Sequence, residues 1–196
     1  MEIAWNEGFH ICPTVSFEQL SEFKEGLIVL SSCHGCEIAK HFMHGYQEAA
    51  EETILKYRDL FGEDYYVELV RNGSGEQLES AYSDFLLNMG KKHGIKVVAT
   101  NDVHCCEKED IQKMECLLRA NLGDMAKSIS LPTDDWLKSE EEMLSNFSDC
   151  PEAISATEEI VAKIETFEMP QWKVPSPRWN EQEYLKDLDD CLRLIK

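Results

Sequence analysis

Apolar positions along the chain recur with two alternating periods, and the alternation predicts the elements. Residues 16–26 (SFEQLSEFKEG) predict a short helix, with Ser16 as its cap, Gln19 three residues on and Gly26 at its end. The run LIVLSS (27–32) is largely apolar and rich in branched residues, which predicts a buried parallel strand. Ala50, Ile54, Tyr57 and Phe61 share one face of a helix over 46–61, and Gly62 stops it. YYVELV (65–70) predicts a second strand and NGSG (72–75) a turn. Leu78, Tyr82, Phe85 and Met89 mark a helix over 76–93, ended by Gly94. IKVVAT (95–100) predicts a third buried strand, followed by the loop NDVHCC. Strand, helix, strand, helix, strand in that order predicts parallel βαβ units. Three strands are too few to close a barrel.

Beyond residue 107 the pattern turns helical. Ile111, Met114 and Leu118 form one stripe over 107–123. A loop surrounds Leu131 and Pro132. Ser139 and Glu142 form a capping box for SEEEMLSNF. Asp149 or Cys150 starts the next helix, with Pro151 in its first turn and Ile154, Ile160, Val161 and Ile164 along it. The stretch 169–179 carries three prolines and predicts an extended linker, and a last helix covers 180–196.

Composition changes the picture in two ways. The 43% share of hydrophobic residues is that of a globular chain, and no apolar run nears the ~20 residues of a membrane span. The net charge of -19, from 38 acids against 19 bases, argues against DNA binding by this polypeptide alone, because that binding needs Lys and Arg against phosphates. The nearest basic group is Lys91, Lys92, His93 and Lys96. The first eight residues lack the basic start and apolar stretch of a secretory signal, so a cytoplasmic location is expected. The eight cysteines are then expected as thiols, and their irregular spacing predicts no disulfide framework.

The strongest candidate chemistry is Asp102-Val103-His104, directly after the third strand. In an extended segment, residues i and i+2 point to one side, with Cα atoms ~6.6 Å apart. A carboxylate and an imidazole so placed can reach one metal or two neighbouring ones. The C-terminal ends of parallel strands are also where α/β folds build sites. The competing reading is an Asp capping a loop and a His at a surface turn. Cys33 ends the first strand on the same rim, and a thiolate is a good zinc ligand; a small buried apolar residue is the alternative. Cys33-His34-Gly35-Cys36 has zinc-knuckle spacing without a matching second pair, since Cys105-Cys106 lacks the two-residue gap. Glu68 is unusual inside so apolar a strand. It points into the site or pairs with Arg71 or a lysine. His10, His41 and His44 are expected at the surface, and Trp5, Trp136, Trp172 and Trp179 in packing roles.

Five segments occur in order: EGLIVLSSC (25–33), FGEDYYVELVRNG (61–73), KVVATNDVHC (96–105), LKSEEEM (137–143) and SDCPEAISATEEIVAKI (148–164). Together they resemble the later part of the PHP (polymerase and histidinol phosphatase) region of bacterial polymerase III alpha subunits, running into the start of the palm. The resemblance spans about residues 16–190. It implies an α/β fold, part of a (β/α)7 barrel with parallel strands, followed by a mostly helical C-terminal segment. The division it implies is a partial PHP domain over 1–125, a helical segment over 126–168, and a linker with the start of a palm-like helix over 169–196. In that family the rim binds up to three metal ions, hydrolyses phosphoesters and in some polymerases supports 3'–5' exonuclease proofreading. By resemblance Asp102 and His104 match the last Asp-x-His metal motif, and Cys33 matches a His or Cys ligand position. The metal implied is zinc, with magnesium and manganese as the other candidates.

Departures limit what the resemblance implies. The family's His-x-His motif is absent, since no two of the six histidines are separated by one residue. The palm carboxylates are missing too, so the chain is expected to be a partial subunit, with weak metal binding and little independent catalysis. Its expected partners are the remainder of the alpha subunit or other replicative polymerase subunits, with DNA only in that context and no membrane. Two other readings stand beside this one: a stand-alone PHP phosphoesterase, and a non-catalytic interaction module whose acidity suits a basic partner.

Overall fold

The computed structural model describes residues 2–10, 12–73, 76–123 and 134–166. Residues 1–164 form one unit, which carries all the described helices and strands, and 165–196 form another. The loop near Leu131 and Pro132, the stretch 169–179 with Trp172 and Trp179, and the last helix lie outside the described residues.

The elements run α1 (Glu2–Asn6), α2 (Phe17–Glu22), β1 (Val29–Leu30), α3 (Glu37–Met43), α4 (Gln47–Phe61), β2 (Tyr65–Val70), α5 (Glu76–His93), β3 (Val97–Thr100), α6 (Asp110–Leu122), α7 (Glu140–Asn146) and α8 (Pro151–Lys163). The strands form one parallel sheet in the order β1-β2-β3. This is the mixed α/β arrangement that the βαβ pattern predicts. Among the described residues no further strand closes it into a barrel.

Strand parity sorts the core into two faces. Tyr65, Val67, Leu69 and Ala99 join the larger cluster, with Ala50 and Ile54 of α4 and Tyr82, Leu86 and Met89 of α5. Tyr66 and Val98 point the other way and pack with Ile28, Leu30, Ala156 and Ile160. Helix α8 serves both faces, because Ala153 belongs to the first cluster and Ala156 to the second. Polar contacts hold it in place. Glu159 accepts from the Tyr66 hydroxyl at 2.8 Å and from Lys96 Nζ at 2.6 Å. Lys163 Nζ donates to Glu63 O and Asp64 Oδ1 at 2.9 Å each. Gly90 is required where α5 meets β3, since a Cβ there would lie 2.8 Å from Val97 Cγ2.

Local signals explain most element ends. Ser16 and Ser139 each close a full capping box, with Gln19 and Glu142. Gly62, at φ 57, ends α4. Three predictions need correction. The first strand shrinks from six residues to Val29 and Leu30, because only these align with a partner in β2. Helix α3 has no counterpart in the apolar pattern: it has seven residues and is capped by a cysteine, Cys36, an uncommon cap. The large apolar residues Val161 and Ile164 stay exposed on and just after α8, while its small Ala153 and Ala156 are buried. Small residues let the helix approach the sheet closely.

Candidate functional site

Glu68 organises the C-terminal end of the sheet. The register that pairs Leu30 with Tyr66 and Glu68 with Val98 places Ser32, Glu68 and Thr100 on one face. Glu68 Oε2 accepts the Ser32 N–H at 2.9 Å, and Oε1 accepts the Thr100 hydroxyl at 2.7 Å. Its own N–H donates to Ser31 Oγ at 2.9 Å. One carboxylate on the central strand thus ties down both neighbouring strand ends. It is not the partner of Arg71. That guanidinium grips both Asp149 oxygens, at 2.6 and 2.8 Å, donates to the Asn146 carbonyl and lies over the Phe147 ring.

Among the described residues, two non-glycine residues have positive φ, and both follow strands of this sheet: Ser32 (φ 73) after β1 and Asp102 (φ 48) after β3. Left-handed backbone at such residues costs free energy and clusters at rims that other contacts hold in place. Asp102 is therefore not in the extended geometry expected for Asp-x-His. Its Oδ2 accepts from Asn72 Nδ2 at 3.4 Å, and its carbonyl lies 2.6 Å from His104 Nδ1. In the neutral tautomer that donates its Nδ1 proton to that carbonyl, Nε2 is the acceptor nitrogen. The imidazole is exposed.

A segment that no motif marked lies against this loop. Residues 134–137 run parallel to it, with a bridge between Cys105 and Trp136. The His104 N–H donates to Asp135 O at 2.9 Å, the Leu137 N–H to Cys105 O at 3.0 Å, and Asn101 Nδ2 to Trp136 O at 2.9 Å. The Asp135 carboxylate is fully buried. Its Oδ1 accepts from Cys105 Sγ at 3.7 Å, and its Oδ2 has no hydrogen-bond partner and lies 3.8 Å from His104 Nδ1. Burial first, and then the charge of Asp135, push the Cys105 thiol above its usual range. Sequence reasoning missed Asp135, since an acid beside a tryptophan in a polar stretch reads as loop.

Cys33 opens the turn after β1 and is half-buried. It shares a sheet end with Asp102 and His104, but these side chains do not form one donor set. Among the described residues no three His, Cys, Asp or Glu side chains stand together so as to hold an ion. Of the histidines expected at the surface, His10 and His44 are exposed, whereas His41 is half-buried on α3. Trp5 is exposed and stacks on Phe9, while Trp136 is half-buried under Lys138 Nζ, 3.4 Å from its ring centre.

Residues 1–72 match the PHP domain family. Along nearly its whole length the chain is also similar to curated alpha subunits of a bacterial polymerase. It is 29% identical to the DNA polymerase III subunit alpha of Borreliella burgdorferi over 95% of this chain. The corresponding figures are 32% over 94% for Treponema pallidum and 31% over 91% for Deinococcus radiodurans. This chain resembles a segment of the DNA polymerase III alpha subunit. It spans only 14% to 17% of the length of these relatives. The PHP match takes in Cys33 and Glu68 and stops before Thr100, Asp102 and His104.

Proposed function

We propose that this chain acts as a PHP-type segment of a replicative polymerase alpha subunit, contributing architecture within a larger assembly and little chemistry of its own. The similarity over more than nine-tenths of the chain to DNA polymerase III alpha subunits carries the reading. On this reading β1, β2 and β3 are part of a (β/α)7 barrel. Cys33, Asp102 and His104 are the remains of a metal rim of the phosphoesterase or 3'–5' exonuclease type. The partners are the remainder of an alpha subunit or other replicative polymerase subunits, and DNA is engaged only in their company. The net charge of -19 supports that restriction.

Zinc binding is weak on this reading, because the donors on hand do not close around an ion. Metal analysis of the purified chain after dialysis, with nuclease and phosphatase assays, tests it. The expected result is sub-stoichiometric zinc, magnesium and manganese and no hydrolysis that depends on Asp102. Tight stoichiometric zinc together with hydrolysis abolished in Asp102→Ala would overturn the reading and favour a stand-alone phosphoesterase.

A further inference from the structure

We propose that Cys33 and Cys36 form a reversible redox dithiol, oxidised to an intramolecular disulfide by small disulfides of the glutathione class. The inference rests on the turn between β1 and α3 and is independent of any metal.

The Cys36 N–H donates to the Cys33 carbonyl at 3.1 Å, which closes a four-residue turn over His34 and Gly35. Such a turn holds its end Cα atoms within ~7 Å of each other. A disulfide spans Cα separations of ~4.4–6.8 Å, so the turn brings the two backbone positions into the range that one bond can bridge. The Cys36 sulfur borders the Tyr82 hydroxyl. Burial raises its pKa most, and the charges of Cys36 and, more weakly, Cys33 add to that. Cys36 is the anchored member: its sulfur accepts from the Ala39 N–H at 3.4 Å and lies 3.7 Å from the Tyr82 hydroxyl. A Cβ added at Gly35 would stand in ordinary contact with the Cys33 sulfur, at 3.9 Å. A Cys-x-x-Cys pair between a strand and a helix in a βαβ unit is also the arrangement of redox dithiols.

The other described cysteines are poorer candidates. Cys105 and Cys106 are adjacent, and Cα atoms ~3.8 Å apart lie below the disulfide range. Cys150 is buried, and Cys12 and Cys116 are exposed at separate places in the chain.

The chemistry balances as two exchanges. The Cys33 thiolate attacks one sulfur of oxidised glutathione, forms a mixed disulfide and releases one glutathione thiolate. Cys36 loses its proton to solvent, attacks the Cys33 sulfur and releases the second glutathione. Two protein thiols are oxidised and one glutathione disulfide is reduced to two thiols. The product links the turn after β1 to the start of α3 and removes Cys33 as a free thiol.

The test equilibrates the purified chain in glutathione buffers of rising oxidised fraction, quenches with acid, alkylates and maps the products by mass. The expected result is the joint loss of two alkylatable thiols, with a mass two hydrogens lower in the peptide holding Cys33 and Cys36. Cys36→Ser should lose this product and retain glutathione on Cys33. Cys105→Ser should leave it unchanged, and circular dichroism should show each variant folded. Joint loss that persists in Cys36→Ser, or wild-type chain that carries only single glutathione adducts, overturns the proposal.

Discussion

Glu68 and Leu69 are neighbours on β2 and face opposite sides of the sheet. Leu69 is fully buried in the larger cluster, among apolar side chains of α4 and α5. Glu68 faces the strand ends and holds them through Ser32 and Thr100. The first position is fixed by removal from water, which is non-directional and tolerates shape changes poorly. The second is fixed by two directed hydrogen bonds to an acceptor that has to be oriented. Helix-backed face and polar rim thus differ in what holds them, and they should fail differently.

Leu69→Ala is the largest expected effect. It leaves a cavity in a closed apolar cluster and should cost ~2–5 kcal/mol in urea or thermal unfolding. Glu68→Ala should cost less, about 1–3 kcal/mol, because it orphans the Ser32 N–H and the Thr100 hydroxyl. Glu68→Gln sharpens the contrast: it keeps one acceptor oxygen and should recover part of that loss. Equal losses in Leu69→Ala and Glu68→Ala would mean that the rim is as tightly packed as the core.

The smallest effect concerns pH. The Arg71 guanidinium holds the Asp149 carboxyl below its usual range, against a smaller opposing effect of burial. A depressed folded-state pKa gives stability that is fully present above the unfolded value of ~3.9 and is lost as pH falls through the folded value. Asp149 is largely exposed, so its share is discounted to below ~1 kcal/mol. Unfolding measured from pH 6 down to pH 2 should therefore show a slightly shallower loss in Asp149→Asn than in the wild type.

Particular elements show how far the residues alone reached. The run YYVELV became β2 and the stripe over 76–93 became α5, because apolar periodicity reports burial directly. Both capping boxes were legible because each is complete within four residues. The rim was less legible. The Asp-x-His motif marked the right loop, but its extended geometry was an assumption, and Asp102 adopts positive φ. Asp135 carried no signal, since its burial comes from pairing of 134–137 with a loop some thirty residues earlier.

The sequence by itself determined the alternation of strands and helices, the parallel direction of the strands, the position of the Asp102–His104 loop and the resemblance to a polymerase alpha subunit. Only the tertiary structure decided that Glu68 serves the strand ends and not Arg71, and that Asp135 lies buried beneath His104. The physical reason is range. Periodicity, caps and turns are settled by neighbours within a few residues. Hydrogen bonds such as those of Glu68 to Ser32 and Thr100 join residues 36 and 32 positions apart, and no local pattern encodes them.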